Sequence, residues 1–166
     1  MKLPIPYHKQ KTDYTCGPAC MQMALQYFDI KTSETGLAKM MKTNSDIGTH
    51  HDGMIRAARR HGCYCYVNEN STIHELKHFV ELRLPVIINF LEPVGNEAHY
   101  SIVKGFDHRG LILNDPYNGR NFHITKRIFL WRWHNIWSKH ASKHWMLVLN
   151  NQDFQLGKQY KPIKKT

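Results

Sequence analysis

A cysteine at the start of a helix constrains this chain more than any other feature. Cys16 is followed by Gly17 and Pro18, and proline suits the first turn of a helix, where its missing N–H would have no partner. Four apolar residues then recur at the spacing of one helix face: Cys20, Met23, Ala24 and Tyr27. The helix therefore packs into a core, and its dipole and free N–H groups favour a thiolate at Cys16.

Two later segments supply partners for this thiol. A strand-like run over residues 97–105 carries His99, and a second run over residues 111–119 carries Asp115. A turn at residues 107–110 joins them into a hairpin that can hold the two side chains together. Taken alone, His99 reads as a satisfied strand histidine and Asp115 as the start of an Asp-Pro turn. With Cys16 they give the nucleophile, base and orienting group of thiol acyl transfer.

These residues form a pattern that resembles a known family. A glutamine precedes Cys-Gly, the helix is rich in Ala and Met, His-Tyr lies near a strand start, and Asp-Pro-x-x-Gly follows the next strand. The pattern is similar to that of the C39 family of papain-like cysteine peptidases, which includes the peptidase domains of bacteriocin-processing transporters. The likeness runs from about Ile5 to Arg132.

The resemblance implies a fold and a set of roles. It implies an α+β, papain-like cysteine peptidase fold, with a helical lobe packed on an antiparallel sheet. Cys16, His99 and Asp115 would be the catalytic triad, and the side-chain amide of Gln10 would stabilise the oxyanion. Transporter-fused members usually carry an acidic residue before the cysteine, whereas this chain has Thr15. That departure points to the free-standing C39-like branch and away from double-glycine leader specificity.

Periodicity and capping residues predict helices early in the chain and strands mostly late, which is typical of an α+β fold. Residues 1–150 are expected to form a single domain, and residues 151–166 a basic, solvated tail. The predicted helices begin at Cys16, after Ser33, at Asp52 as cap, after the capping box Thr72-x-x-Glu75 and after Thr125; the predicted strands cover residues 63–67, 86–91, the hairpin, 122–124 and 145–149.

Length and composition narrow the class of protein further. With 166 residues and 42% hydrophobic content, the chain can bury one real core. It contains no apolar run long enough to span a bilayer, and its first residues lack the apolar segment of a signal peptide. We therefore expect a cytoplasmic protein with its four cysteines as free thiols.

The net charge of +10 either only keeps the protein in solution or indicates an acidic partner, which could be an acidic peptide, a nucleic acid or a membrane surface. The expected partner is a peptide or protein substrate of acidic character. Residues 126–134 interleave basic and aromatic side chains as nucleic-acid stacking surfaces do. An amphipathic helix packed on the sheet accounts for the same pattern of basic and aromatic residues, so nucleic acid is not the expected partner.

Other functions remain open at this point. Five residues close together in sequence could bind zinc: His50, His51, His61, Cys63 and Cys65. No pair of them has the spacing of a closed zinc site, so neither a metal nor a cofactor is expected. The nearest alternative lies within acyl chemistry, because Cys-His-Asp groups also serve amidases, peptide transferases and transglutaminases.

Overall fold

In the described part of the chain, five helices pack against a six-stranded sheet. The computed structural model describes residues 1–136, 141–157 and 159–164. In chain order the elements are α1 (Cys16–Tyr27), α2 (Glu34–Met41), α3 (His51–Arg60), β1 (Tyr64–Asn68), α4 (Ile73–Glu81), β2 (Val86–Leu91), β3 (Ala98–Asp107), β4 (Gly110–Asp115), β5 (Gly119–Ile124), α5 (Lys126–Arg132) and β6 (Met146–Asn150).

The sheet is antiparallel throughout, with the strand order β1-β6-β2-β3-β4-β5. The central strand β2 is buried along its whole length, as its sequence predicts, which is apolar except for Asn89. The helices α1, α2 and α3 contact one another, and α1 lies against β3. This arrangement confirms the α+β fold with a helical lobe on an antiparallel sheet.

Side-chain caps account for most helix starts. The Ser33 hydroxyl accepts a hydrogen bond from the N–H of Gly36, and Thr72 forms the predicted capping box with Glu75. The prediction for α3 was wrong by two residues, because His50 is the N-cap and Asp52 lies in the first turn. A carboxylate is stabilised by the helix dipole at either position, so the same residue fits both.

The core lies between the helical lobe and the sheet. Its largest fully buried side chains include Trp133, Trp145, Phe90 and Phe129. Helix α1 is buried over most of residues 17–25, so it runs through the lobe and its first residue emerges at the lobe's edge. Among the described residues no helix combines the length and apolar character required to cross a membrane.

The C-terminal segment is not simply solvated, which corrects the expectation of a free tail. The main chain of Tyr160 exchanges two hydrogen bonds with Cys65 in β1, and the N–H of Ile163 donates to the carbonyl of Arg59. The Arg59 guanidinium also lies over the Tyr160 ring, 5.5 Å from its centroid. Residues 158, 165 and 166 lie outside the described part, and a domain boundary at residue 150 stays a prediction.

Candidate active site

The predicted nucleophile is the first residue of α1. Cys16 is half-buried, and the next residue, Gly17, packs tightly against the loop before α3. A Cβ added to Gly17 would lie 2.9 Å from the Oγ1 atom of Thr49. Only glycine therefore lets the helix start approach this loop so closely, and the sequence offered no sign of that requirement.

His99 and Asp115 meet across the β3–β4 hairpin. The Nε2 atom of His99 lies 2.9 Å from the Oδ1 atom of Asp115, and both side chains are buried. The same oxygen accepts the N–H groups of Tyr117 and Asn118 at 3.0 and 2.8 Å. Asp115 therefore holds the imidazole and starts the Asp-Pro turn, and its role in catalysis stays a prediction.

Charge and hydrogen bonding shift the pKa of the thiol. Burial raises the pKa of Cys16, but the His99 imidazolium, a hydrogen bond with the His99 ring and the Tyr100 N–H outweigh it and leave the pKa below its usual value. Because Nε2 of His99 is held by Asp115, Nδ1 is the nitrogen left for the thiol. The lowered pKa of Cys16 favours a thiolate–imidazolium pair.

The pKa of the His99 imidazole shifts upward, which favours the charged ring as the lowered pKa of Cys16 favours the thiolate. Burial lowers the pKa of His99, but the Cys16 thiolate and the hydrogen bond to Asp115 raise it to about 10. For Asp115, burial raises the pKa, while the hydrogen bond from His99 and that residue's positive charge hold it below its usual range. The lowered pKa of the thiol and the raised pKa of the imidazole both favour the charged forms of these groups.

The other three cysteines have the opposite character. Burial raises the pKa of Cys63 to about 11 and that of Cys65 to about 12, and it raises the pKa of Cys20 well above its usual value. All three are fully buried. A thiol that stays protonated and out of reach of solvent is a poor nucleophile.

Cys16 should therefore be alkylated by iodoacetamide at least about 10-fold faster than any other cysteine at neutral pH, because the thiolate is the reacting form. The rate should rise with pH through the lowered pKa of Cys16 and then level off. Time-resolved peptide mapping by mass spectrometry measures the four rates separately. Faster labelling of Cys63 or Cys65 would contradict the assignment.

Hydrogen bonds of the N-terminal segment position Gln10 at the site. The Asn114 side chain in β4 donates to the carbonyl of Ile5, and the N–H of Gln10 donates to the carbonyl of Pro116, next to Asp115. The Nε2 atom of Gln10 donates to the carbonyl of Thr12 at 2.8 Å, and its Oε1 atom is buried with no hydrogen-bond partner among the described residues. One N–H of the amide is left for a further acceptor.

A cavity of about 850 Å³ opens beside Cys16. Gln10, Cys16 and His99 line it on one side, and the loop before α3 lines it on another. That loop is tied to the sheet by the Tyr100 hydroxyl, which donates to the carbonyl of Thr49, and by His51, whose Nδ1 atom lies 2.6 Å from the same hydroxyl. The cavity is large enough for several residues of an extended peptide.

Sequence reasoning missed the charge of this cavity. Four acidic residues line it: Asp13, Asp46, Glu92 and Glu97. Among the residues that the structure describes, no lysine or arginine lines it. The expectation of an acidic substrate came from the total charge of the chain, whereas the charge beside the thiol has the opposite sign. The positions of Asp13 and Glu97, close in sequence to Cys16 and His99, were the available signal.

The histidines and cysteines weighed as zinc ligands do not form a metal site in the described part of the chain. Within residues 1–136, 141–157 and 159–164, no three His, Cys, Asp or Glu side chains are placed to hold a metal ion. His51 instead stacks on Trp145 with ring centroids 4.0 Å apart, and Cys63 and Cys65 are buried in the core.

The helical lobe, the antiparallel sheet and the cysteine at the lobe's helix start define a papain-like cysteine peptidase fold. The chain belongs to the peptidase C39-like family, whose match covers residues 2–141. This confirms the family resemblance drawn from the sequence. An uncharacterized protein of Methanothermobacter marburgensis is 30% identical over 121 residues, which cover 73% of this chain and 78% of that protein.

Solved structures share the fold. The peptidase domain of Streptococcus ComA, a bifunctional ABC transporter, superposes with a TM-score of 0.69 at 22% identity, covering 91% of this chain and 98% of that one. A C39-like peptidase from Bacillus anthracis superposes with a TM-score of 0.72 at 16% identity, covering 90% and 98%. A double-glycine-motif protease, solved in complex with the leader peptide, superposes with a TM-score of 0.68 at 21% identity, covering 89% of this chain and 92% of that one.

Proposed function

We propose that this protein is a cysteine peptidase that cleaves peptide bonds with Cys16, His99 and Asp115. The observation that carries the proposal is the buried His99–Asp115 pair, 2.9 Å apart, beside a cysteine whose pKa the His99 imidazolium lowers. That cysteine borders a cavity large enough for a peptide. Membership of the peptidase C39-like family supports the same chemistry.

In the proposed reaction the Cys16 thiolate attacks the scissile carbonyl carbon and forms a tetrahedral oxyanion. The N–H at the start of α1 and the Gln10 amide would donate to that oxyanion. The His99 imidazolium gives its proton to the leaving amine, and the peptide C–N bond breaks. His99 then takes a proton from water, which attacks the thioester and releases the carboxylic acid and the thiolate.

Asp115 would act through His99. Its carboxylate would accept a hydrogen bond from Nε2–H and leave Nδ1 for the sulfur. It also favours the positive imidazolium over the neutral ring. Because the turn N–H groups of Tyr117 and Asn118 fix the carboxylate, the orientation of the imidazole is set by the fold itself.

A defined peptide mixture and mass spectrometry test the proposal. The protein is incubated with the peptides in ¹⁸O-labelled water, with the Cys16→Ala variant as the matched control. Hydrolysis gives new C-termini that carry one ¹⁸O atom, and the control gives none. Joined peptides without label would show that an amine resolves the acyl-enzyme, as in a peptide transferase. Cleavage that persists in Cys16→Ala would contradict the proposal.

A further inference from the structure

We propose that the cleft selects a positively charged peptide segment, one that carries lysine or arginine next to the scissile bond. This rests on the proposed function, because it names the substrate class of the same site. The chain has 23 lysines and arginines against 13 acidic residues. Even so, the charged residues apart from histidine that line the cleft in the described part of the chain are all acidic.

The four carboxylates come from three separate segments that border the cavity. Asp13 lies between Gln10 and Cys16, Asp46 lies in the loop before α3, and Glu92 and Glu97 lie in the β2–β3 connection. A substrate in the cleft therefore meets negative charge from more than one direction. The cavity and its reactive thiol make this a binding site, and the carboxylates set the sign of charge that it accepts.

Three of these side chains are available to a ligand. Asp13, Asp46 and Glu97 are exposed, and none belongs to an ion pair of the described residues. An exposed carboxylate without a cationic partner keeps its charge for a ligand that enters the cleft.

Glu92 contributes a fixed charge. Its carboxylate is buried and accepts hydrogen bonds from the N–H groups of Val94 and Gly95 and from the Asn118 amide. Arg132 approaches the same loop but donates to the carbonyl groups of Leu91 and Glu92 and does not line the cavity. The carboxylate of Glu92 is thus held by backbone N–H groups and a side-chain amide, and not by a cation among the described residues.

The triad does not cancel this charge. In its reactive form the Cys16 thiolate and the His99 imidazolium offset each other, and the Asp115 carboxylate leaves one negative charge. A cationic side chain near the thiol therefore gains Coulomb energy from both the triad and the lining, and an acidic side chain is repelled by both.

Charged thiol reagents test the potential at Cys16 without a substrate. Two methanethiosulfonates are compared, one with a trimethylammonium and one with a sulfonate group. Each transfers its thioalkyl group to the thiolate and releases methanesulfinate. Relative to the same ratio on 2-mercaptoethanol, the cationic reagent should be favoured about 10-fold at low salt, and less at high salt. A ratio equal to that of the small thiol, or below it, would overturn the proposal.

Matched variants localise the effect. The double variant Asp46→Asn, Glu97→Gln should bring the reagent ratio back toward that of the small thiol. Glu81→Gln is the control, because Glu81 is exposed on α4 outside the cleft and changes the charge of the chain in the same direction. If Glu81→Gln shifts the ratio as much per charge as the cleft variants do, the effect comes from the overall charge and the proposal fails.

Paired peptides that differ only in lysine or glutamate beside the cleavage site complete the test. The lysine peptide should protect Cys16 from iodoacetamide at about 10-fold lower concentration, and its kcat/KM should be higher and fall with salt. Protection by lysine peptides without cleavage would leave the charge preference standing and overturn the peptidase. Cleavage without preference, or with preference for glutamate, would overturn the charge inference and leave the peptidase.

Discussion

Replacing His99 with glutamine is expected to lower kcat/KM for peptide cleavage on the order of 10⁴-fold or more. The variant loses the group that carries the proton from the thiol to the leaving amine. It also loses the positive charge that lowers the pKa of Cys16 against the effect of burial, so the pKa of that thiol should rise. Steady-state kinetics measure the first effect, and the pH dependence of iodoacetamide labelling at Cys16 measures the second.

Asp115→Asn is the companion variant that shows how the effect arises. An asparagine oxygen can accept the same N–H groups of Tyr117 and Asn118 and the same Nε2 proton, so the imidazole keeps its orientation. The negative charge is lost, and the amide brings an N–H donor to the place where Oδ2 is buried without a hydrogen-bond partner among the described residues. We expect a decrease of about 10²–10⁴-fold. His99→Gln with wild-type turnover would remove His99 from the mechanism. Asp115→Asn as damaging as His99→Gln would show that the charge, and not the orientation, is what matters.

Local sequence signals predicted the parts of the fold that depend on neighbouring residues. The start of α1 at Cys16, the capping box at Thr72 and the β3–β4 hairpin follow from residues a few positions apart, and all are present. The hairpin also brings His99 and Asp115 into contact. Two of the three proposed catalytic residues could therefore be paired before the structure was known.

Features that depend on distant packing were missed. The main-chain pairing of Tyr160 with Cys65 requires the free edge of β1, and no pattern within the C-terminal segment reveals that edge. The tight contact of Gly17 with Thr49 likewise joins two segments that are far apart in sequence. In both cases the sequence contains the residues, but the constraint arises only from the assembled fold.

The charge of the cleft shows the same limit for electrostatics. A total of +10 describes the molecule at a distance, where the many basic residues dominate. The potential felt by a bound peptide depends on the carboxylates within a few ångströms, such as Glu97 in the β2–β3 connection and Asp46 in the loop before α3. Counting charges along a chain cannot separate these two scales.

Gln10→Ala is expected to lower kcat on the order of 10²–10³-fold with little change in KM, because an oxyanion donor acts only where charge develops in the transition state. Removing the side chain breaks one hydrogen bond, to the carbonyl of Thr12, and leaves the main-chain bond to Pro116 in place. The variant should therefore stay folded. Single-turnover and steady-state kinetics beside a melting curve measure both effects.

Alkylation provides the control that separates this role from a general disturbance of the site. Iodoacetamide reacts at Cys16 without forming an oxyanion, so its rate should be the same in Gln10→Ala and in the wild type. Gln10→Glu should be at least as damaging as Gln10→Ala, because a carboxylate repels the developing negative charge. If Gln10→Ala keeps wild-type turnover, or loses turnover and Cys16 alkylation together, the oxyanion donor is another group. The N–H groups at the start of α1 would then be the first candidates, since the first four of a helix have no partner within it.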